Sequence, residues 1–447
     1  MYTSERLKRG SVKTGFGLLA LCFILSLSFT ACGRHGAPQV TAVGSVPDAA
    51  EIGRLAVEDI PVPPVKKEET YTYRPAVHTT EWPGCLQYAI DSLLHDDLFR
   101  STQVGLCVYD LTADSMLFAY NHRQRLRPAS TEKVITAVSA LALLGGDYSF
   151  RTRLCMTGMI RDSVLCGDIY AVGGFDPCFD RDDMKAFVSG LKALGVDSIA
   201  GCFYEDVSMK DTLKWGWGWC WDDDNPTLTP LLYKQKDRFR EAWFELLAEQ
   251  GINTSGLYGR GICPEEARPV VTRTHSIDQV LLRMMKDSDN LYAEALFYPL
   301  AARSGKRYAS RKEAVRQIHT LIEQMGFRPD DYQIADGSGL SLYNYLTPEL
   351  EMAFLRYAYR NKDIYSHLHP SLPTAGWDGT LEKRMKTGPA SLSVQAKTGT
   401  VEGVSALAGY ATASNGHVLA FSIMNQGIVK ARMGRDFQDK VCALLCR

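Results

Sequence analysis

Three short clusters in this 447-residue chain carry side chains suited to activating a hydroxyl group. The first, Pro128-Ala129-Ser130-Thr131-Glu132-Lys133, sets a hydroxyl and an amine one helical turn apart. Residues i and i+3 face the same way on a helix, so Ser130 and Lys133 point together. A serine hydroxyl is a weak nucleophile until a neighbouring base takes its proton. A lysine partly withdrawn from water has a lowered pKa and can serve as that base. The second cluster, Ser288-Asp289-Asn290, places another hydroxyl and a carboxamide two residues apart. The third, Lys397-Thr398-Gly399-Thr400, carries a cation and two hydroxyls on a strand edge, with Gly399 permitting close backbone approach. Each also has a structural reading when taken singly: a capped helix start, a turn, and a solvated strand end.

The elements that must position these groups can be read from periodicity. After Lys133, residues 134–141 are apolar or small, as in a helix surrounded by protein. Residues 103–111 and 116–120 read as a strand pair joined by a turn at 112–115, and 85–94 has helical apolar spacing. Residues 277–285 begin a helical segment leading to Ser288, and 404–410 is a small, apolar, strand-like run after Thr400. From about residue 150 the character changes: strands at 151–157, 163–172 and 198–204, and helices at 181–194 and 238–251. Trp215, Trp217, Trp219 and Trp221 alternate before Asp222-Asp223-Asp224. Four such rings cannot all face one core cheaply, so this stretch is either a cleft wall or a local aromatic core.

Length suggests two domains, and a formal net charge of −1 gives no sign of a polyanion partner. No basic cluster is interleaved with aromatics, which excludes nucleic-acid binding of the usual kind. The nine histidines are scattered, with no H-E-x-x-H or C-x-x-C, so no metal and no cofactor is expected. Arg6, Lys8, Arg9 and Lys13 precede an apolar stretch at 15–29, too short for a confident membrane span. Phe29-Thr30-Ala31-Cys32-Gly33 then resembles a bacterial lipoprotein signal, with Cys32 as the lipidated residue; an ordinary cleaved signal peptide is the alternative. Either implies export, where disulfides persist. Ten of the twelve cysteines lie beyond Cys32, and Cys155 with Cys166 is expected to staple a hairpin. Residues 33–80 lack periodicity and contain a stiff Pro-rich, charged stretch, the pattern of a tether.

The order S-x-x-K, S-D-N, K-T-G is shared by penicillin-binding proteins and class A β-lactamases. With Asp168-Ile-Tyr-Ala-Val-Gly-Gly-Phe-Asp-Pro177, Ala335-Asp-Gly-Ser-Gly-Leu-Ser341 and Ala375-Gly-Trp-Asp-Gly-Thr-Leu381 added, the chain resembles the class C low-molecular-mass penicillin-binding proteins. These are the D-alanyl-D-alanine carboxypeptidase/endopeptidases of peptidase family S13. The likeness runs from about residue 82 to the end. Class A β-lactamases are much shorter between the first two motifs. Two departures stand out: Phe175 where the family usually has Gly, and Leu342 where an Arg is common. The insertion between the first two motifs is also shorter than is usual in the family.

The resemblance implies an α/β, serine β-lactamase/transpeptidase-like fold, an antiparallel sheet flanked by helices plus an all-helical part. The expected divisions are a signal at 1–32, a linker at 33–80, a catalytic domain at 81–149 and 265–447, and an inserted accessory domain at 150–264. It implies an acyl-enzyme on Ser130, with Lys133 as base and Lys397 lowering its pKa by repulsion. Ser288 would relay a proton and Asn290 would hold Lys133 and the substrate amide. The N–H groups of Ser130 and Thr400 would form the oxyanion hole, and Lys397, Thr398, Gly399 and Thr400 would bind the substrate strand and carboxylate. Asp223 would accept a second amine, unless it is simply a solvated acidic turn. The implied partners are peptidoglycan peptides, β-lactams as covalent inhibitors, and a membrane reached through the lipid on Cys32. A sensor that acylates without turnover is the alternative function, and a β-lactamase would need a deacylating base that the sequence does not reveal.

Overall fold

A computed structural model describes Tyr73 and residues 75–447. The signal stretch, Cys32 and nearly all of the tether lie outside the described residues. The central sheet is antiparallel throughout, in the order Val394–Val401, Val404–Thr412, Val418–Gln426, Gln103–Asp110, Ser115–Tyr120. Successive strand side chains point to opposite faces, and here both faces are covered. Leu106, Val108, Leu407, Phe421 and Ile423 join a core with Leu86 and Ile90 of helix Gly84–Leu93 and Phe437 and Val441 of helix Ala431–Leu445. Cys107, Tyr109, Ala406, Ala408 and Tyr410 turn the other way, into the main helical core. The sheet's central strands are therefore apolar almost without interruption.

That helical core is built around Glu132–Leu144, where eleven of the thirteen residues are buried. Asn290–Ala302 is equally enclosed, and Pro348–Arg360 packs beneath the sheet. These three helices, with Ile277–Lys286 and Arg311–Gln324, make the all-helical part. Glu132–Leu144 ends at Gly145, whose φ of 88° is a left-handed stop open mainly to glycine.

Between the first two motifs the chain forms a second sheet, in the order Tyr258–Arg260, Phe203–Asp206, Ile169–Val172, Ser149–Met156, Arg268–Ser276. Helices Arg181–Ala193 and Phe239–Glu249 close a separate core over it, with Trp243 fully buried. This sheet reaches Ser276, past residue 264, because Arg268–Ser276 pairs antiparallel with Ser149–Met156. The expected strand at 198–204 is two strands, Ser198–Ile199 and Phe203–Asp206, in different sheets. The break falls at Gly201, where a Cβ would sit 2.1 Å from Gly167 O. All ten described cysteines are free thiols. Cys155 lies opposite Tyr170 and Cys166 opposite Met159, so the expected Cys155–Cys166 staple does not form. The Cys155 thiol instead lies against that of Cys263.

Two glycines let three backbone segments meet at the Ser130 turn. A Cβ on Gly339 (φ 77°) would lie 1.8 Å from Ala129 O, and one on Gly399 would lie 2.5 Å from Pro128 O. Gly339→Ala adds a steric conflict to a left-handed backbone and is expected to cost about 2–4 kcal/mol. Gly388→Ala, with φ of 87° but open space around it, should cost only about 1 kcal/mol. Urea unfolding of both variants checks the difference, and equal losses would show that the approach at Ala129 can relax.

Candidate active site

Ser130 stands in a short 3₁₀ turn, Ala129–Thr131, that runs directly into Glu132–Leu144. Ala129 holds a φ of 49°, uncommon for a residue with a side chain, and it sits where the Gly339 and Gly399 segments press on the turn. The i, i+3 relation read from the sequence brings Lys133 Nζ to 3.0 Å from Ser130 Oγ. The same amine donates to Asn290 Oδ1 at 2.8 Å and to Ser338 O at 2.7 Å.

A side-chain amide oxygen and a main-chain carbonyl can only accept. A neutral amine has two N–H groups for these two acceptors, and its lone pair is then left for the Ser130 hydroxyl proton. A charged amine would donate to all three, so the contact set accommodates Lys133 before and after it gives up a proton. Burial, which is complete, pushes its pKa down to about 8, against the raising charges of Asp336, Glu294, Asp289 and Glu132. The repulsion expected between the two lysines shows itself on Lys397. Its amine is pushed well below its usual range, first by burial and then by Lys133.

Ser288 is delivered by an unusual backbone, with φ of 61°. Asp289 caps the following helix by accepting from Tyr292 N at 3.3 Å, and Arg283 holds its other oxygen at 3.1 Å. That cap lets Ser288 and Asn290 reach into the same cleft. Lys397 Nζ donates to Ser288 Oγ at 2.8 Å and to Thr398 O at 2.7 Å. Thr398 Oγ1 donates to Thr380 Oγ1 at 2.8 Å, and the exposed Thr400 hydroxyl accepts from Arg435 at 3.4 Å.

Val394–Val401 is an edge strand whose outer side is covered only in part. Ala375 N donates to Val394 O and Ala396 N donates to Pro373 O, each at 2.9 Å. By the same alternation the main-chain groups of Thr398 and Thr400 point outward, beyond that cover. An extended peptide can add there as a further strand.

Five of the sequence-derived residues are thus brought together: Ser130, Lys133, Ser288, Asn290 and Lys397. Asp223 is not among them. Its carboxylate accepts from Cys220 N at 3.0 Å within its own turn. Neither reading of the tryptophan stretch holds for all four rings: Trp221 is 87% exposed, whereas Trp219 Nε1 donates to the buried Asp336 at 2.7 Å.

Four buried acids were not singled out from the sequence. Glu294 accepts from Gly337 N at 3.0 Å and is pushed up to about 8 by burial, with Asp336 adding to it. Glu351 accepts from Ser422 Oγ at 2.6 Å and is pushed up to about 7 by burial. Glu132 is fully enclosed, its carboxyl oxygens have no hydrogen-bond partner among the described residues, and burial raises it well above the usual carboxylate range. Asp336 takes four donors and shapes the loop that offers Ser338 O. An acid inside an otherwise apolar helix, as at Glu294, is the signal that could have found them.

Fold and site together define a serine enzyme of the penicillin-binding-protein fold. The chain belongs to the D-Ala-D-Ala carboxypeptidase 3 (S13) family, which it matches over residues 86–231 and 233–447. It is 25% identical over 413 residues to D-alanyl-D-alanine carboxypeptidase DacB of Haemophilus influenzae, covering 73% of this chain and 86% of that protein. It is also 25% identical over 438 residues to the D-alanyl-D-alanine carboxypeptidase of Actinomadura sp., covering 76% and 81%. The crystal structure of penicillin binding protein 4 (dacB) from Haemophilus influenzae superimposes with a TM-score of 0.72 at 22% identity, over 79% of this chain and 97% of that one.

Because the base must be neutral, acylation by a β-lactam is expected to rise with pH and level off above about 8, the value burial gives Lys133. Below it the rate should fall about tenfold per pH unit. Stopped-flow acylation rates from pH 6 to 9 check this, and a flat profile would remove Lys133 as the titrating base.

Proposed function

We propose that this chain is a serine D-Ala-D-Ala carboxypeptidase with endopeptidase activity, acting on peptidoglycan stem peptides and crosslinks. Ser130 Oγ attacks the carbonyl of the penultimate D-Ala and passes its proton to Lys133 Nζ. The negative charge that develops on the carbonyl oxygen is met by the N–H groups of Ser130 and Thr400, an arrangement typically worth about 3 kcal/mol per donor. The tetrahedral intermediate collapses, the C–N bond breaks, and the leaving amine takes a proton relayed from Lys133 through Ser288. Water then attacks the ester, Lys133 again takes the proton, and Ser130 is restored. A β-lactam offers the same carbonyl in a ring, so Ser130 opens it and the leaving amine stays attached.

One observation carries this reading: a fully buried lysine whose amine meets Ser130 Oγ and two obligate acceptors. Lys397, Thr398 and Thr400 suit the substrate carboxylate, and the open stretch of strand from Lys397 to Thr400 suits its extended backbone. Asp223 is the candidate partner for the second amine of a crosslink. Residues 150–264 are read as the accessory part that carries it. Export fits the basic, apolar and small-residue run ahead of Cys32, and a lipid on that cysteine would hold the enzyme at the cell envelope. The intact Lys133, Ser288, Asn290 and Lys397 favour turnover over a sensor that only acylates.

Digestion of an uncrosslinked pentapeptide and a crosslinked dimer by the detergent-solubilised full chain tests the proposal. Mass spectrometry should find loss of D-Ala, splitting of the dimer, or both, and Ser130→Ala should abolish them. Covalent penicillin at Ser130 without any cleavage would turn the reading to the sensor.

A further inference from the structure

The loop that carries Asp223 also reaches the far side of the catalytic lysine. Residues 335–344 fold around the Asp336 carboxylate, which is 1% exposed. Its Oδ1 accepts from Gly339 N and Asn344 Nδ2, each at 2.8 Å, and its Oδ2 from Ser341 N and Trp219 Nε1, each at 2.7 Å. Three of these donors belong to the loop itself. The fourth comes from the tryptophan stretch between the first two motifs. This loop presents Ser338 O to Lys133 Nζ and Gly337 O to Thr136 Oγ1, each at 2.7 Å. The docking is close along its length. A Cβ on Gly218 would lie 2.4 Å from Tyr343 Cδ2 and 2.5 Å from Ser341 Oγ. Trp217 packs on Tyr343 at 5.0 Å between ring centroids, and Arg311 lies over the Trp217 ring at 4.5 Å. Arg311 in turn donates to Ile334 O at 3.1 Å.

We propose that Trp219 is a positioning residue for the acylation step: its N–H fixes Asp336, Asp336 fixes the 335–344 loop, and that loop holds Lys133 against Ser130. The proposal rests on Lys133 being the base. It makes the loop bearing the candidate amine-binding Asp223 part of the catalytic frame as well as a wall of the cleft. The charged groups facing Lys133 are Glu132 on its own helix, Asp289 and Glu294 at the Asn290 helix, Asp336 on the loop, and Lys397 on the edge strand. Loosening the loop moves Asp336 and the Ser338 carbonyl away. The amine then loses a raising charge and an acceptor, so its protonation moves to lower pH.

The test uses the full chain in detergent with a β-lactam reporter and a D-Ala-terminated peptide. Trp219→Phe keeps the ring and removes the donor to a charged group, so kcat and the acylation rate should fall roughly tenfold with KM little changed. The acid limb of the acylation profile should move to lower pH. Gly218→Ala, which pushes the two loops apart while leaving Trp219 in place, should do the same, and it carries the test if Trp219→Phe does not fold. An unchanged acylation rate, or a loss confined to KM with the acid limb unmoved, would overturn the proposal and leave Trp219 as a cleft wall. Failure of the unmodified chain to acylate at all would instead overturn the reading of Ser130 and Lys133.

Discussion

Everything in this fold serves one difficult placement: an amine held dry, with its pKa lowered, and within a hydrogen bond of a serine. Water would readily protonate Lys133, so the protein encloses it completely. Burial alone would push the pKa too far for a useful base, since desolvation can move a lysine by several units. The surrounding acids oppose that push, and the balance falls near 8. Glu132 and Glu294 are themselves raised by burial, so they temper the lysine without trapping it as a permanent ion pair. Fixed ion pairs of this kind would hold the proton where catalysis needs it to leave.

Holding the amine in place then requires three backbones at van der Waals distance. The Ser130 turn, the Gly339 bend and the Gly399 strand converge where no Cβ fits. This explains why the edge strand contributes a Lys-Thr-Gly-Thr run: the glycine lets the strand reach the turn, and the residues on either side of it then flank the nucleophile. The strain falls at Ala129 (φ 49°), just before Ser130, and at Ser288 itself (φ 61°), so it lies where two hydroxyls are aimed into the cleft. Backbone strain of this sort persists only where surrounding packing over-determines it. Here the packing comes from the two most enclosed helices, Glu132–Leu144 and Asn290–Ala302.

Much of this was legible in the sequence because motif spacing and strand alternation are local. Ser130 and Lys133 share a helical turn, and Ser288 and Asn290 flank a capping aspartate, so their geometry follows from neighbours. The strands at 103–110, 115–120 and 404–412 appear close to where alternation and small apolar runs put them. The buried acids were illegible for the opposite reason. Asp336 and Lys133 are joined only by the folded loop, and beyond the apolar helix around Glu294 nothing local marks a carboxylate that will be enclosed. The cysteines failed likewise: sequence nearness suggested Cys155 with Cys166, but strand register sets them opposite different partners and brings Cys263 to Cys155 from afar. The strand Arg268–Ser276 went unread because an exposed edge strand alternates weakly, with no residue fully buried along it.

The second sheet has a core of its own, separate from the one around Lys133. An insertion built this way can change its outer surface without disturbing the central sheet. It still meets the catalytic frame, through Phe150, Phe175, Leu228 and Leu232 in the main core and through particular polar contacts, Trp219 on Asp336 and Tyr292 OH on Pro177 O at 3.3 Å. The first reaches the loop that holds the lysine, and the second reaches the helix that begins with Asn290. Both acceptors of the Lys133 amine are therefore braced from the same insertion.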